Sequence, residues 1–297
     1  MSTAAGVSTV PGWPVAFRGS LAVAAGLTTL DRLRGPRFRR VFPDVYVRAG
    51  DHPPGPLLRS IAAYRLVEGT GVLSGYSAAL LLGAGCAPRT GIAPEVTVPG
   101  GGRRTRLDLL VHRDRLHPGE ITEVDGVRCT TPLRTAFDLA RRLDRVEAVV
   151  AVDRLANEHR FPPDVLLNFS VRYRGARGVD RVPDVLACTT PYSGSPMESR
   201  LRMLITDAGL PRPRVQWVVQ DVAARTAVWL DLAYPEHRVA IEYEGEGHTV
   251  PEEVLRDAGR YTRLVDRGWR VYRYTKYDVF GARDRIVAEL TRALQPR

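Results

Sequence analysis

The sequence predicts a multidomain α/β protein: a winged helix-turn-helix at the N-terminus, an α/β middle domain, and a C-terminal α/β domain built on a mixed sheet. Three observations predict it. The chain has 297 residues, long for one domain, so two or three are expected. Helical and strand-like periodicities alternate along its length. Between Arg172 and Pro196 runs a stretch rich in Gly, Pro and Arg, with "RYRGARG" and "TTPYSGSP", where a boundary is expected. The domains are accordingly read as 1–55, 56–180 and 190–297.

Residues 1–17 are polar, contain Gly and Pro, and read as loose. From Ser20 the text "SLAVAAGLTTLDRLRG" is helical, with Ser20 as N-cap and Gly26 as an interruption. A second helix, Thr29 to Leu33, follows Thr28 as cap and stops at Gly35-Pro36. "RFRRVF" and "VYVRA" then alternate like strands around Pro43-Asp44, a hairpin. Helix, Gly turn, helix and basic hairpin is the order of a winged helix-turn-helix. Residues 57–85 read as mainly helical, and "EVTVPGGGRRTRLDLLVHR" as two strands around a basic loop. "CTTPLRTAFDLARRLDRVEAVVAVDRLANEH" holds two helices, the first starting near Pro132.

From Ser195 a new unit begins. "SPMESRLRMLITDAG" is a helix with Pro196 in its first turn and Gly209 at its end. Strands Arg214 to Val219, Val228 to Tyr234 and Arg238 to Glu244 follow, then a helix from Pro251 to Arg267. The strand "WRVYRYT" and a helix from Ala282 to Leu294 complete the order α-β-β-β-α-β-α.

The formal charge of +10 suggests an anionic partner, nucleic acid first. Lys276 is the only lysine, however, so arginine supplies the rest, a pattern that also follows from GC-rich coding. No apolar run approaches the roughly 20 residues a membrane helix needs, and the N-terminus lacks signal-peptide features. No membrane contact and a cytoplasmic protein are therefore expected. Cys86, Cys129 and Cys188 are far apart and form no zinc-binding spacing, so they are read as buried thiols.

The chemistry concentrates in "VWLDLAYPEHRVAIEYEGEGH", Val228 to His248. If Pro235 to Arg238 form the turn, Tyr234 faces Val239 and Asp231 faces Glu242. Alternation then puts Trp229, Asp231, Ala233, Ala240, Glu242 and Glu244 on one face. Leu230, Leu232, Val239, Ile241 and Tyr243 fill the other. Like charges opposed on a sheet destabilise it, and a divalent cation reverses that; dense carboxylates suit Mg²⁺ (or Mn²⁺). A solvated acidic face in another register is the competing reading. Glu198, on the preceding helix, would add a fourth carboxylate. His248 would serve as base, acid or phosphate donor. Arg256, Arg260, Arg263 and Arg267 form one helical stripe suited to phosphates, or else a solvated face.

The segment Ser195 to Leu294 resembles the restriction-endonuclease-like PD-(D/E)xK domains related to very-short-patch-repair endonucleases. "MESRLRMLITDAGLPRP", "LDLAYPEHRVAIEYEGEGH" and "RDAGRYTRLVDRGWRVYRYT" carry the likeness. The resemblance implies Asp231, Glu242 and Glu198 as metal and catalytic residues, with His248 matching a histidine of the subgroup. Glu244 stands where the motif has lysine, so it would bind a second cation or act as base. The chemistry implied is Mg²⁺-dependent hydrolysis of DNA phosphodiesters.

The front half, Ser20 to His159, resembles the abortive-infection (AbiEi-type) antitoxins of toxin–antitoxin systems. "AAGLTTLDRLRGPRFRRVFPDVYV", "VLSGYSAALLLG" and "CTTPLRTAFDLARR" carry this one. It implies DNA binding, to which Arg32, Arg34, Arg37, Arg39 and Arg40 are suited, and a toxin or regulatory protein partner. A winged helix that contacts protein instead is the competing reading. Arg134, Asp138, Ser77 and Ala78 fall in these motifs and read as buried pairing and close packing. The leading expectation is a metal-dependent endonuclease targeted by the front half. The alternative is a transcriptional regulator or antitoxin whose nuclease-like domain is inactive. A single-strand or RNA nuclease is a third.

Overall fold

The computed structural model describes residues 14–50, 52–88, 92–100, 108–221, 226–245 and 262–295. The chain divides into two compact units, each multi-layered α/β. One comprises residues up to Arg142 together with Leu166–Val182; the other comprises Leu143–Val165 and the chain from Pro183 onward.

The first unit starts with β1 (Ala16–Arg18), α1 (Gly19–Ala24), α2 (Leu30–Arg34), β2 (Phe38–Phe42) and β3 (Val45–Arg48). The strands form an antiparallel sheet in the order β1-β3-β2. β1 lies in a segment expected to be loose, and three residues are too few to show a period. Ser20 does not cap α1. Its N–H and hydroxyl both bond the Asp44 carboxylate, at 2.8 and 2.6 Å, tying the helix to the hairpin turn. α2 begins one residue later than expected, because Thr29 accepts the Arg32 N–H at 3.3 Å. Phe17, Ala22 and Leu33 form the small core between these elements. Gly19 is required there: a Cβ would meet the Tyr46 ring at 2.6 Å.

The unit continues with α3 (Pro56–Val67), β4 (Val72–Leu73), α4 (Gly75–Leu81), β5 (Glu95–Val98), β6 (Leu110–Arg113), β7 (Ile121–Val124), β8 (Val127–Thr130) and α5 (Pro132–Arg142). The five strands form a mixed sheet, β6-β5-β4-β8-β7, with β5–β6 and β4–β8 parallel. One apolar cluster runs from Phe42, Val45 and Val47 through Ile61 and Tyr64 to Leu73, Val96 and Cys129. The small N-terminal sheet and the five-stranded sheet thus share a core through α3. Cys86 and Cys129 are buried as expected, while Cys188 is half-buried.

The chain leaves through α6 (Arg145–His159), which belongs to the second unit, and returns with α7 (Leu166–Arg172). After α8 (Val182–Leu186) comes α9 (Pro196–Asp207), capped by Ser195 and followed by Gly209 at φ +80°. β9 (Arg214–Asp221), β10 (Thr226–Tyr234), β11 (Val239–Glu244), a helical stretch α10 (262–266), β12 (Arg270–Thr275), α11 (Lys276–Gly281) and α12 (Arg283–Leu294) follow. The sheet order is β12-β11-β10-β9, with β11–β12 parallel and the other pairs antiparallel. Tyr234 pairs with Val239 as the four-residue turn requires.

Both faces of this sheet are covered. Leu232, Tyr234, Val239 and Ile241 pack with α9, α11 and α12, whereas Val228, Leu230, Ala233 and Ala240 pack with Leu264. Strict alternation cannot put Leu230 beside Ala233, so the expected two-face assignment is corrected here. Gln216, at φ +51°, lies with Asp231 between the paired Leu230–Trp217 and Leu232–Val215, and the side-chain direction switches at that level. Trp229 is consequently 60% exposed while Ala233 is fully buried. Among the described residues no helix is long and apolar enough to cross a membrane.

Candidate functional site

In the second unit, the N-terminus of α9 brings a carboxylate to the sheet. Ser195 accepts the Glu198 N–H at 3.2 Å, which fixes the first turn. The Glu198 side chain folds back so that Oε2 accepts from the Gly194 N–H at 2.9 Å and from Gln216 Nε2 at 3.2 Å. The left-handed backbone at Gln216 aims that amide inward. Asp231 lies close enough for its charge to act on Glu198, and burial adds to it. Burial first, then Asp231, push the Glu198 carboxyl up to about 7.

Beyond Leu232–Ile241 the hairpin ladder gives way to a side-chain bond. Asp231 Oδ2 accepts the Tyr243 N–H at 2.9 Å. Glu242 is buried and stands in register with Arg273 of β12. Glu244, expected to hold a second cation or act as base, instead pairs with Arg273 Nη2 at 2.9 Å, both groups being more than a third exposed. A parallel strand therefore delivers the cation that the hairpin sequence lacks. Among the described residues no group of three or more His, Cys, Asp or Glu side chains reaches metal-holding geometry. Glu198 and Asp231 come together; Glu242 does not complete a ligand set with them.

His248, Arg256 and Arg260 lie outside the described residues. Of the remaining stripe, Arg263 is exposed, but Arg267 donates to the Gln220 carbonyl at 2.6 Å and is committed to the sheet. In the first unit, Arg32, Arg34, Arg37 and Arg40 are exposed on the helix pair and hairpin. Arg39 is half-buried and donates to the His52 carbonyl at 3.2 Å. Leu21, Leu27 and Leu30 stand exposed on the same helices and the turn between them.

The densest ionic cluster is built on Arg134 and Asp138, which the sequence suggested as a buried pair without assigning them chemistry. On α5, Arg134 and Asp138 are both fully buried. Arg134 Nε donates to Asp138 at 3.0 Å and Nη1 to Glu120 at 3.0 Å, while Nη2 reaches Asp114. Asp138 also takes Arg141 at 2.7 Å and Arg142 at 3.2 Å. Burial works to raise the Asp138 carboxyl, yet Arg142, Arg134 and Arg141 together hold it below the usual carboxylate range. The Tyr173 hydroxyl donates to Glu120, and its ring lies 4.8 Å from the Arg134 guanidinium carbon. The i, i+4, i+7, i+8 spacing of these α5 residues was visible in the sequence; their partners on other elements were not.

Comparison with known proteins places this network in context. The model of the AbiEi antitoxin C-terminal domain matches residues 71–188. Two Mycobacterium tuberculosis proteins, Uncharacterized protein MT2308 of strain CDC 1551 / Oshkosh and Uncharacterized protein Rv2248 of strain ATCC 25618 / H37Rv, are each 31% identical over 205 residues. The matches cover 68% of this chain and 74% of each relative.

Proposed function

Because the chain belongs to the family of these two mycobacterial proteins and carries an AbiEi antitoxin C-terminal domain, we propose that it is an antitoxin-type transcriptional regulator. In this reading the N-terminal winged helix binds DNA, and residues 71–188 engage a toxin protein. The domain match carries the proposal. The helix–helix–hairpin in front of it supports the DNA-binding half, because Arg32, Arg37 and Arg40 are exposed there. α2 has only five residues, so phosphate contacts are expected to outweigh base contacts.

The test is binding of duplex DNA from upstream of the gene, followed by fluorescence anisotropy across a salt series. Removing one arginine–phosphate interaction should flatten the slope of log K against log salt by about 0.9. Arg37→Ala/Arg40→Ala should therefore lower it by about 2 at most, with folding unchanged. An unaltered slope and affinity would remove the hairpin from the interface. Arg39 is the poorer choice, since its bond to His52 mixes structure with binding.

A second reading is favoured by one observation. Burial, and after it the charge of Asp231, hold Glu198 near 7, and a divalent cation would relieve the repulsion between the two carboxylates. It is that the second unit, restriction-endonuclease-like in its resemblance, cleaves phosphodiesters with Mg²⁺ or Mn²⁺. The described residues supply two converging carboxylates, too few for a complete cation site, and no catalytic step follows from them. Incubation of plasmid and single-stranded DNA with Mg²⁺, Mn²⁺ or chelator decides it. Metal-dependent nicking that Asp231→Asn abolishes would establish cleavage; its absence on every substrate leaves the regulator.

A further inference from the structure

A cavity of about 560 Å³ in the first unit opens beside the Arg134–Asp138 network. Its wall includes Arg113 from β6, Arg141 and Arg142 from the end of α5, Arg172 from α7, and Arg177 from the turn that follows. Three separate segments of chain thus line one concavity with five arginines.

Around Arg141, Arg142, Arg172 and Arg177 the nearby carboxylates leave positive charge in excess. Asp138 already receives Arg134, Arg141 and Arg142; Asp114 receives Arg134 and, at 3.5 Å, Arg141. Glu120 holds Arg134 and the Tyr173 hydroxyl, and stands 3.8 Å from Arg172. Leaving Arg113 aside, Arg134, Arg141, Arg142, Arg172 and Arg177 number five against these three carboxylates and Glu95, whose charge also acts on Arg142. Moreover, Nη1 of Arg142 is buried with no hydrogen-bond partner among the described residues. A buried donor on a cation is costly to leave unmade, and such groups call for a partner.

We propose that this cavity is a binding site for a small phosphate-bearing molecule, with Arg142, Arg172 and Arg177 holding the phosphate oxygens. Guanidinium forks match phosphate geometry, and several of them on one anion give charge-assisted bonds. The concavity is within the size range of small-molecule sites. Free phosphate, pyrophosphate and the phosphate tail of a nucleotide share this chemistry. The site lies within the antitoxin-like domain but is independent of whether that domain binds a toxin.

Isothermal titration of the full-length protein with inorganic phosphate, pyrophosphate, ATP and adenosine, at matched ionic strength, tests it. Saturable binding of at least one phosphate probe is expected, and none of adenosine. Preference for ATP over pyrophosphate would identify a nucleotide as the source; equal binding would identify the phosphate group alone. Arg172→Ala/Arg177→Ala alters only exposed side chains and should weaken binding about tenfold or more. Arg142→Gln should do the same with circular dichroism unchanged; should it misfold, the exposed pair decides alone. Lack of saturable binding by all three phosphate probes would overturn the proposal. So would equal affinity in the Arg172/Arg177 variant, or adenosine binding as tightly as ATP. Loss of duplex DNA affinity in that variant, without any small-phosphate binding, would overturn it in favour of a strand contact.

Discussion

Arg134→Ala should lower the unfolding free energy of the first unit by about 3–5 kcal/mol, the range for removing one partner from a buried ionic group. The guanidinium is completely buried, so water cannot replace it. Its loss strips Glu120 and Asp114 of their principal donor and Asp138 of one of three. It also empties the face of Tyr173. Urea unfolding followed by circular dichroism measures the change, with exposed Arg115→Ala as a control expected to stay within about 0.5 kcal/mol. The acid limb carries a second signature. Asp138 is depressed in the fold, so its stabilisation is present above the unfolded carboxylate value of about 3.9 and is lost as pH falls through the folded one. The variant, holding Asp138 less strongly, should lose less additional stability between pH 5 and pH 2. A destabilisation below about 1 kcal/mol at pH 7 would show that the network is not what holds α5 to the sheet.

Glu198→Gln should act in the opposite direction, in the second unit. The folded carboxyl sits at about 7, above its unfolded value, so its ionisation opposes folding. Wild-type stability therefore falls as pH climbs from about 4.3 towards 7 and is level beyond. Glutamine keeps the acceptor for the Gly194 N–H and removes the charge. The variant should gain roughly 3 kcal/mol over wild type at pH 8 and nothing at pH 4, at 1.36 kcal/mol per pKa unit. Repeating the measurement with Mg²⁺ separates the two readings of the site. Stabilisation of wild type but not of the variant would indicate a bound cation. Equal stability of the two proteins at pH 8 would mean that Glu198 carries no such burden.

Local signals led to local truths. The Pro235 turn implied the Tyr234–Val239 register, and Ser195-Pro196 marked the start of α9, because caps and turns are decided by neighbours in the chain. The helix pair and basic hairpin at the front were legible for the same reason, although their caps moved. What failed depended on distant contacts. No pattern announces a left-handed Gln216, so the side-chain switch beside Asp231 was invisible and with it the sorting of Leu230 and Leu232. Arg273, which neutralises Glu244, arrives from a parallel strand across a long connection. The spacing of Arg134 and Asp138 suggested a pair, while Glu120, Asp114 and Tyr173, which make it a network, come from other elements.

The interleaving of the two units has its own consequence. α6 emerges from the ribosome before α9, to which it is bound by ion pairs. Arg202 meets Asp153 with both side chains almost fully buried, and Arg200 grips Glu147 with two bonds, at 2.9 and 2.6 Å. Until Arg200 and Arg202 have been translated, α6 must wait with Val149, Val152 and Leu155 unshielded, all of them fully buried in the finished fold. The first unit can close earlier, once α7 has followed α6 out. At elongation rates of about 5–20 residues per second this leaves an interval of seconds in which a nascent apolar helix is available to chaperones or proteases. Degradation of such a chain would be decided during synthesis, before any ligand could stabilise the completed protein.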